Sequence, residues 1–382
     1  MSKKYNLIIL LVLGAFLVLA PLNSARADGG RYFVKSTKKF WKNTFGARHY
    51  FADGFTADLN ALQIRLAKFF GVKIEEVPAF NILAEAVLPE SSLNQEKIPD
   101  SWGIKLVTGN SVDKEAGAGV NVAVLDTGID KNNPVLAGRV AECKNFADPR
   151  FPIAEDECTD DNSHGTHISA VIAADGGENG SGFIGVAPAS KLHVFKVCNG
   201  DGSCYADDIA TAIKTAADEK TTDIIYMGFG SSVDNQFVRE AVDYATSKNI
   251  LLIAPAGNDG PFSNSVDYPA SYAEVIAVGA VNQLYAVTGW SSRGKNMTFV
   301  APGDEIVSVV LDNKYASYSG TSMAASFIAG LAARVWQSDS LNPAESTVGF
   351  LKSLAENNPN NKSFAYKTAL GFGVPVITSG NP

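Results

Sequence analysis

The chain has 382 residues, of which 46% are hydrophobic and 19% charged; that composition fits a globular protein and excludes a disordered or fibrous one. The length suits one large domain and a smaller one. A formal net charge of -8 argues against a nucleic-acid partner, which calls for a basic surface.

Lys3 and Lys4 precede an apolar run from Leu7 to Ala20, Pro21 ends it, and Ala25-Arg26-Ala27 has the small-residue pattern of a cleavage site. This reads as a signal peptide over residues 1–27. The rival reading, a membrane anchor, needs about 20 apolar residues. The expected location is therefore outside the cytoplasm, secreted to the extracellular or periplasmic side, with no membrane anchor after signal cleavage.

Residues 28–97 read as a small α+β unit with little core of its own. A strand is predicted over Arg31 to Lys35, and a helix over Ala57 to Phe70 with Leu59, Leu62, Leu66, Phe69 and Phe70 on one face. Gly71 stops that helix, and a second strand covers Val72 to Val77.

From Ile98 the pattern changes. Short apolar runs at Val120 to Leu125, Leu192 to Val197, Ile224 to Met227, Ile250 to Ala254 and Val275 to Val278 alternate with helical stretches at Ala206 to Ala217 and Gln236 to Ser247. Strands buried on both faces and separated by helices imply an α/β fold, a parallel β-sheet with helices on both faces, over residues 98–382. Asn342-Pro343-Ala344-Glu345 reads as a helix start.

The four cysteines are Cys143, Cys158, Cys198 and Cys204. Export favours disulfides. Of the three connectivities, Cys143–Cys158 and Cys198–Cys204 are favoured because each closes a short, turn-rich segment. Zinc is disfavoured, since no C-x-x-C pair is present.

Three segments carry candidate chemistry. Val122-Ala123-Val124-Leu125-Asp126-Thr127-Gly128 ends a buried strand in an acid, at the end of a parallel sheet where sites form; an aspartate bonding its own turn fits equally. Asn162-Ser163-His164-Gly165-Thr166-His167 puts a histidine at a helix start. Metal ligation by the two histidines is weak without the Glu of H-E-x-x-H, and a pair of surface histidines stays open. Ser319-Gly320-Thr321-Ser322-Met323-Ala324-Ala325 places Ser322 at a helix N-terminus, beside free N–H groups able to stabilise an oxyanion; Ser322 or Thr321 as a simple cap fits too.

Together these segments resemble the subtilisin-like serine proteases. The family's motifs are matched by Asp126-Thr127-Gly128, His164-Gly165-Thr166-His167 and Gly320-Thr321-Ser322-Met323-Ala324, with Ala256-Gly257-Asn258 where the family has its oxyanion asparagine. Similarity continues through Gly185-Val186-Ala187-Pro188, Tyr268-Pro269-Ala270 and Ala301-Pro302-Gly303. The resemblance covers Ile98 to the C-terminus. Residues 28–97 resemble the family's inhibitory pro-domain. It implies a serine endopeptidase acting on protein or peptide substrates, with Asp126, His164 and Ser322 as triad, Asn258 in the oxyanion hole, and no cofactor for the chemistry.

The resemblance also assigns a substrate-pairing wall to Gly228, Phe229, Gly230 and Ser231, with Phe229 narrowing its subsite. It puts Asp267 at the base of the main specificity pocket and Asp259 at the rim. An acid there predicts a basic residue before the scissile bond and makes Lys97 a candidate maturation site. The chain's own pro-domain is then a partner, released by self-cleavage. Departures from the family pattern are Ala170 for a glycine, and Ser326 and Phe327 for Pro and His. A structural calcium is left open: Asn133-Pro134-Val135-Leu136 lacks the usual Asp, while Asn179 matches a ligand position. The rivals are an aspartic protease, which needs a second Asp-Thr-Gly, and a catalytically inactive homologue acting as a binding protein.

Overall fold

The computed structural model describes residues 29–88, 101–180, 182–219, 221–363 and 371–377. The expected signal peptide, Lys97 and Ile98 lie outside them. The chain divides into two compact units, residues 1–76 and 77–382, each described by itself.

The first unit has strands β1 (Gly30–Val34), β2 (Tyr50–Phe51), β3 (Gly54–Leu59) and β4 (Ile74–Glu76), with helices α1 (Lys39–Phe45) and α2 (Ala61–Phe69). Its sheet has the order β2-β3-β1-β4, and its described pairs are antiparallel. The core is Val34, Trp41, Phe45, Phe55, Ala57, Leu59 and Ala67. Helix α2 starts four residues later than expected, because Ala57 and Leu59 belong to β3 and pair with β1. Asn60 then begins the helix with a capping box: its Oδ1 accepts from the Gln63 N–H at 2.9 Å, and Gln63 Oε1 accepts from the Asn60 N–H at 3.0 Å. The expected apolar face is also displaced. Leu62, Phe69 and Phe70 are exposed, and Ala67 with the half-buried Ile64 and Leu66 faces the core instead.

The second unit opens with β5 (Ala79–Ile82), β6 (Glu85–Leu88) and α3 (Trp102–Thr108). In chain order there follow β7 (Asn121–Asp126), β8 (Val140–Asn145), β9 (Ala154–Glu155), α4 (His164–Ala173), β10 (Lys191–Lys196), β11 (Ser203–Tyr205), α5 (Ala206–Asp218), β12 (Ile224–Met227) and β13 (Phe229–Gly230). The rest are α6 (Gln236–Ser247), β14 (Leu251–Pro255), β15 (Val275–Val281), β16 (Met297–Pro302), β17 (Ile306–Val310), β18 (Lys314–Ser319), α7 (Thr321–Arg334) and α8 (Pro343–Asn357). The main sheet has eight strands in the order β16-β15-β14-β12-β7-β10-β8-β9. It is parallel except where β9 runs antiparallel to β8, as expected for an α/β fold with helices on both faces.

The five expected strands in this unit appear within three residues of their limits, and α6 spans the expected residues. Helices α4 and α7 pack on each other and are buried almost throughout. No helix of the described residues is long and apolar enough to cross a membrane. Pro343 begins α8 as expected, but the Asn342 side chain donates to Glu345 Oε2 at 2.7 Å and does not cap the backbone.

Candidate active site

Strand β7 runs through the sheet interior with Val122, Ala123, Val124 and Leu125 fully buried. It delivers Asp126, also fully buried, at the carboxyl end of the sheet. Asp126 Oδ1 accepts from the Thr127 N–H at 2.7 Å and lies 2.7 Å from His164 Nδ1. The turn role and the site role are therefore held by one oxygen.

His164 begins α4. The residue before it, Ser163, makes no side-chain cap. Asp160 satisfies this helix start instead. Its Oδ1 accepts from the N–H groups of Asn162 (2.9 Å) and Ser163 (3.1 Å) and from the Thr127 hydroxyl (2.9 Å). Its Oδ2 accepts from the N–H and hydroxyl of Thr166, at 2.9 and 2.6 Å. A carboxylate at the positive end of a helix, holding its free N–H groups, fixes where the first residue points. Thr127 Oγ1 also accepts from the Gly165 N–H at 2.9 Å, which ties the Asp126 turn to the His164 helix. With Nδ1 donating to Asp126, the other nitrogen, Nε2, keeps its lone pair. That Nε2 is buried and has no hydrogen-bond partner among the described residues.

His167, one turn on, serves the core. Its Nε2–H donates to the Ile306 carbonyl at 2.9 Å and its ring stacks on Tyr318 at 4.8 Å. Burial, helped by the neighbouring His164, lowers its pKa to about 3, so it is neutral at ordinary pH. Among the described residues it belongs to no cluster of groups able to hold a metal ion.

Ser322 is the second residue of α7 and is fully buried; Gly320 occupies the cap position, so neither Ser322 nor Thr321 is the cap. In the rotamer present, the Ser322 hydroxyl donates to the Gly228 carbonyl at 3.3 Å. Its own carbonyl accepts from the Tyr226 hydroxyl at 3.1 Å. The helix runs without a break through Ser326, whose hydroxyl donates to the Met323 carbonyl at 2.7 Å, and through the fully buried Phe327. The departure from Pro and His is thus accommodated as ordinary helix.

Asn258 Oδ1 accepts from the N–H of Thr321 at 3.1 Å and from its hydroxyl at 3.0 Å. A backbone N–H needs an acceptor, so the oxygen must face Thr321 and the Nδ2 donors face away from it. The Gly257 N–H donates to Thr321 Oγ1 at 3.1 Å, completing the clamp.

Next to Ser322 lies the segment expected as the substrate wall, Gly228 to Ser231. Phe229 is fully buried, and β13 and β11 flank β5 in a three-stranded sheet. Ser231 and Tyr268 exchange backbone hydrogen bonds at 3.0 and 2.8 Å, which sets Asp267 beside Gly230. Asp267 is 3% exposed, and among the described residues no hydrogen bond reaches its carboxylate. Burial, with Asp259 adding negative charge, raises its pKa to about 7.

The cysteines pair as Cys143–Cys158 and Cys198–Cys204. The second bridge holds the start of β11. A cluster of Glu142, His193 and Glu219 could accept a cation, but Lys144 Nζ already sits 2.6 Å from Glu142 and 3.0 Å from Glu219. Asn133 Oδ1 accepts from the Val135 N–H at 3.2 Å, so its side chain serves a local turn. Asn179 is exposed.

Sequence reasoning missed Asp160, Thr127, Thr321 and Tyr226 as positioning residues. The run Asp160-Asp161-Asn162-Ser163 of helix-start residues was a usable signal for the first. Tyr226, inside an apolar strand, gave none.

The sequence matches the Subtilase family (Peptidase S8) over residues 117–373. This chain belongs to the subtilase family, the subtilisin-like serine proteases. It is 38% identical over 364 residues to the "Subtilisin" of Bacillus sp. (strain TA39), covering 86% of each chain. It is 37% identical over 254 residues to the "Major intracellular serine protease" of Bacillus subtilis (strain 168), covering 65% of this chain and 75% of that one. Among solved structures, "S41 Psychrophilic Protease" has a TM-score of 0.68 at 38% identity, over 74% of this chain and 99% of that one. "Sphericase" has the same TM-score at 35% identity, over 74% of this chain and all of that one.

Proposed function

We propose that this subtilase is a secreted endopeptidase that cuts peptide bonds through an acyl-enzyme on Ser322. A serine hydroxyl is a poor nucleophile until a base takes its proton. His164 Nε2 is that base, and it later protonates the leaving amine. Asp126 holds the imidazole in the tautomer that frees Nε2 and stabilises the imidazolium. The Asn258 amide and the Ser322 N–H bind the oxyanion. The chemistry needs no cofactor. The observation that carries the reading is the 2.7 Å contact between two almost fully buried groups, His164 Nδ1 and Asp126 Oδ1.

Two finer readings belong to the proposal. Residues 28–97 act as an inhibitory pro-domain that the protease removes itself, and residues 1–27 direct export. The two disulfides support an oxidising compartment. The second reading is a preference for Lys or Arg before the scissile bond, supported by the burial of Asp267, whose carboxylate no hydrogen bond reaches among the described residues. A buried carboxylate is costly unless a cation meets it.

The test is hydrolysis of protein and peptide substrates by the purified enzyme and by Ser322→Ala. Activity lost in the variant supports the proposal. Equal activity in both preparations contradicts it, and an inert wild type would make the chain a binding protein.

A further inference from the structure

We infer that Leu83–Ala84 is the bond this chain cuts in itself, selected by Leu83 in the specificity pocket and by Phe80 three residues earlier. The inference rests on the proposed endopeptidase activity and names its first substrate.

Residues 79–88 lie in the same unit as the active site, and their pairing is that of a bound substrate. Strand β5 is the middle strand of the sheet β11-β5-β13. It is antiparallel to both neighbours, with Phe80 opposite Cys204, Asn81 opposite Ser203 and Gly230, and Ile82 opposite Phe229. The Ile82 N–H donates to the Gly202 carbonyl at 3.0 Å. Strand β6 then pairs antiparallel with β18, Glu85 opposite Ser319 and Ala86 opposite Tyr318. Strand β18 leads through Gly320 and Thr321 into Ser322. A segment held on both sides in extended form, with main-chain hydrogen bonds, is how a sheet edge binds a peptide.

Only Leu83 and Ala84 lie between the two ladders. The heavy atoms nearest the place a side chain on Gly320 would take are the Leu83 carbonyl oxygen, Ala84 Cα and the Leu83 carbonyl carbon. The backbone of the linking peptide therefore lies against the residue two before Ser322. On the pocket side, a Cβ on Gly230 would meet Leu83 Cδ1 at 2.6 Å, and Asp267 Cβ and Oδ2 at 3.1 Å. Leu83 thus points to the Asp267 pocket. Phe80 is 1% exposed and meets Phe229 edge-on at 5.9 Å between centroids, so the expected narrowing by Phe229 becomes one wall of an aromatic subsite. The bond set beside Ser322 by this register is therefore Leu83–Ala84; Lys97 lies outside the described residues.

The step balances without any added reagent but water. Ser322 Oγ bonds to the Leu83 carbonyl carbon, its proton passes through His164 to the Ala84 nitrogen, and the Leu83–Ala84 bond breaks. Water then hydrolyses the ester, leaving a Leu83 carboxylate and an Ala84 amine.

The experiment is a time course of the purified precursor, read by intact mass and N-terminal sequencing, with Ser322 reactivity to a fluorophosphonate measured alongside. The expected first new N-terminus is Ala84. Leu83→Asp should slow the cut at least tenfold, and Lys97→Ala should leave its rate unchanged. A decapeptide with the sequence of Ala79–Leu88, given to the processed enzyme, should be cut between Leu and Ala, which keeps the test open if Leu83→Asp fails to fold. A first cut before Ile98 or elsewhere, with Ser322 reactive, overturns the inference and leaves the endopeptidase reading standing. No cut and no reactivity would remove both.

Discussion

Asp126 and Asp267 are both almost fully buried in the same unit, and the fold treats them in opposite ways. Asp126 is met by the Thr127 N–H and the His164 ring, each at 2.7 Å. Asp267 meets Gly230 and Gly257, which offer no side chain, and the described residues give its carboxylate no donor. The partners of the two acids come from different places. A buried carboxylate needs a hydrogen-bond donor or a proton. Asp126 has its donors inside the fold and so fixes a geometry. In the proposed pocket, Asp267 would take a proton beside an apolar side chain such as Leu83 and meet a cation when a basic one binds.

Breaking the partnered acid has the largest effect. Asp126→Asn preserves shape but favours the wrong His164 tautomer, so kcat should fall by about 10^4 with KM little changed. Steady-state kinetics on one peptide checks this, and a loss below tenfold would contradict the role assigned to Asp126.

Breaking the unpartnered acid should change selection and leave the chemistry intact. In Asp267→Ser, any advantage of Arg over Phe before the scissile bond should vanish, a change of about 10- to 100-fold in the ratio of kcat/KM, the scale of a hydrogen bond to a charged group. Phe cleaved as well as Arg by the unmutated enzyme would sink the basic preference.

The same pocket predicts a pH dependence. With Leu83 bound, the Asp267 pKa stands near 7, above its ordinary value. An acid with a raised pKa favours the bound state at low pH, and that advantage is lost as pH rises towards 7. The ratio of Arg to Leu cleavage should therefore climb up to about pH 7 and then flatten. A flat ratio from pH 5 to 8 would show that Asp267 does not titrate in the complex.

His167 sharpens the contrast with His164 on the same helix. Its pKa is about 3 in the folded chain against an ordinary 6.5. Below pH 6.5 the unfolded chain binds a proton that the folded chain does not. Stability should thus fall with acidification, by about 1.4 kcal/mol per pH unit from this residue. Denaturant unfolding from pH 6.5 to 4 should show a shallower slope in His167→Gln.

The smallest effect concerns the bridge that holds β11. Removing Cys198–Cys204 by double substitution to Ser should cost no more than about 3 kcal/mol. It should raise KM a few-fold with kcat nearly kept, because β11 pairs with β5, the segment proposed as substrate. A fall in kcat at constant KM would place the bridge in the chemistry.

The strands of the parallel sheet were legible because they are buried on both faces and therefore apolar throughout. The segments around Asp126, His164, Ser322 and Asn258 stood out as motifs, and the disulfide pairing followed from spacing. Helix α2 was misplaced because Leu59 fits both a helical face and the end of β3, and only its pairing with β1 decides between them. Strands β5 and β6 were not legible. They are short, and their partners, β11, β13 and β18, lie more than a hundred residues away. For the same reason Asp267 pointed to a basic residue at Lys97, while the segment that lies with Asp267 against Gly230 contains Leu83.

The central claim is that Ser322 is a nucleophile activated by His164 and Asp126. Its most direct measurement is labelling of the purified, processed enzyme with a fluorophosphonate, followed by peptide mapping. One adduct is expected, on Ser322, absent in Ser322→Ala and formed much more slowly in Asp126→Asn. An unlabelled wild type, or an adduct that persists in Ser322→Ala, would contradict it.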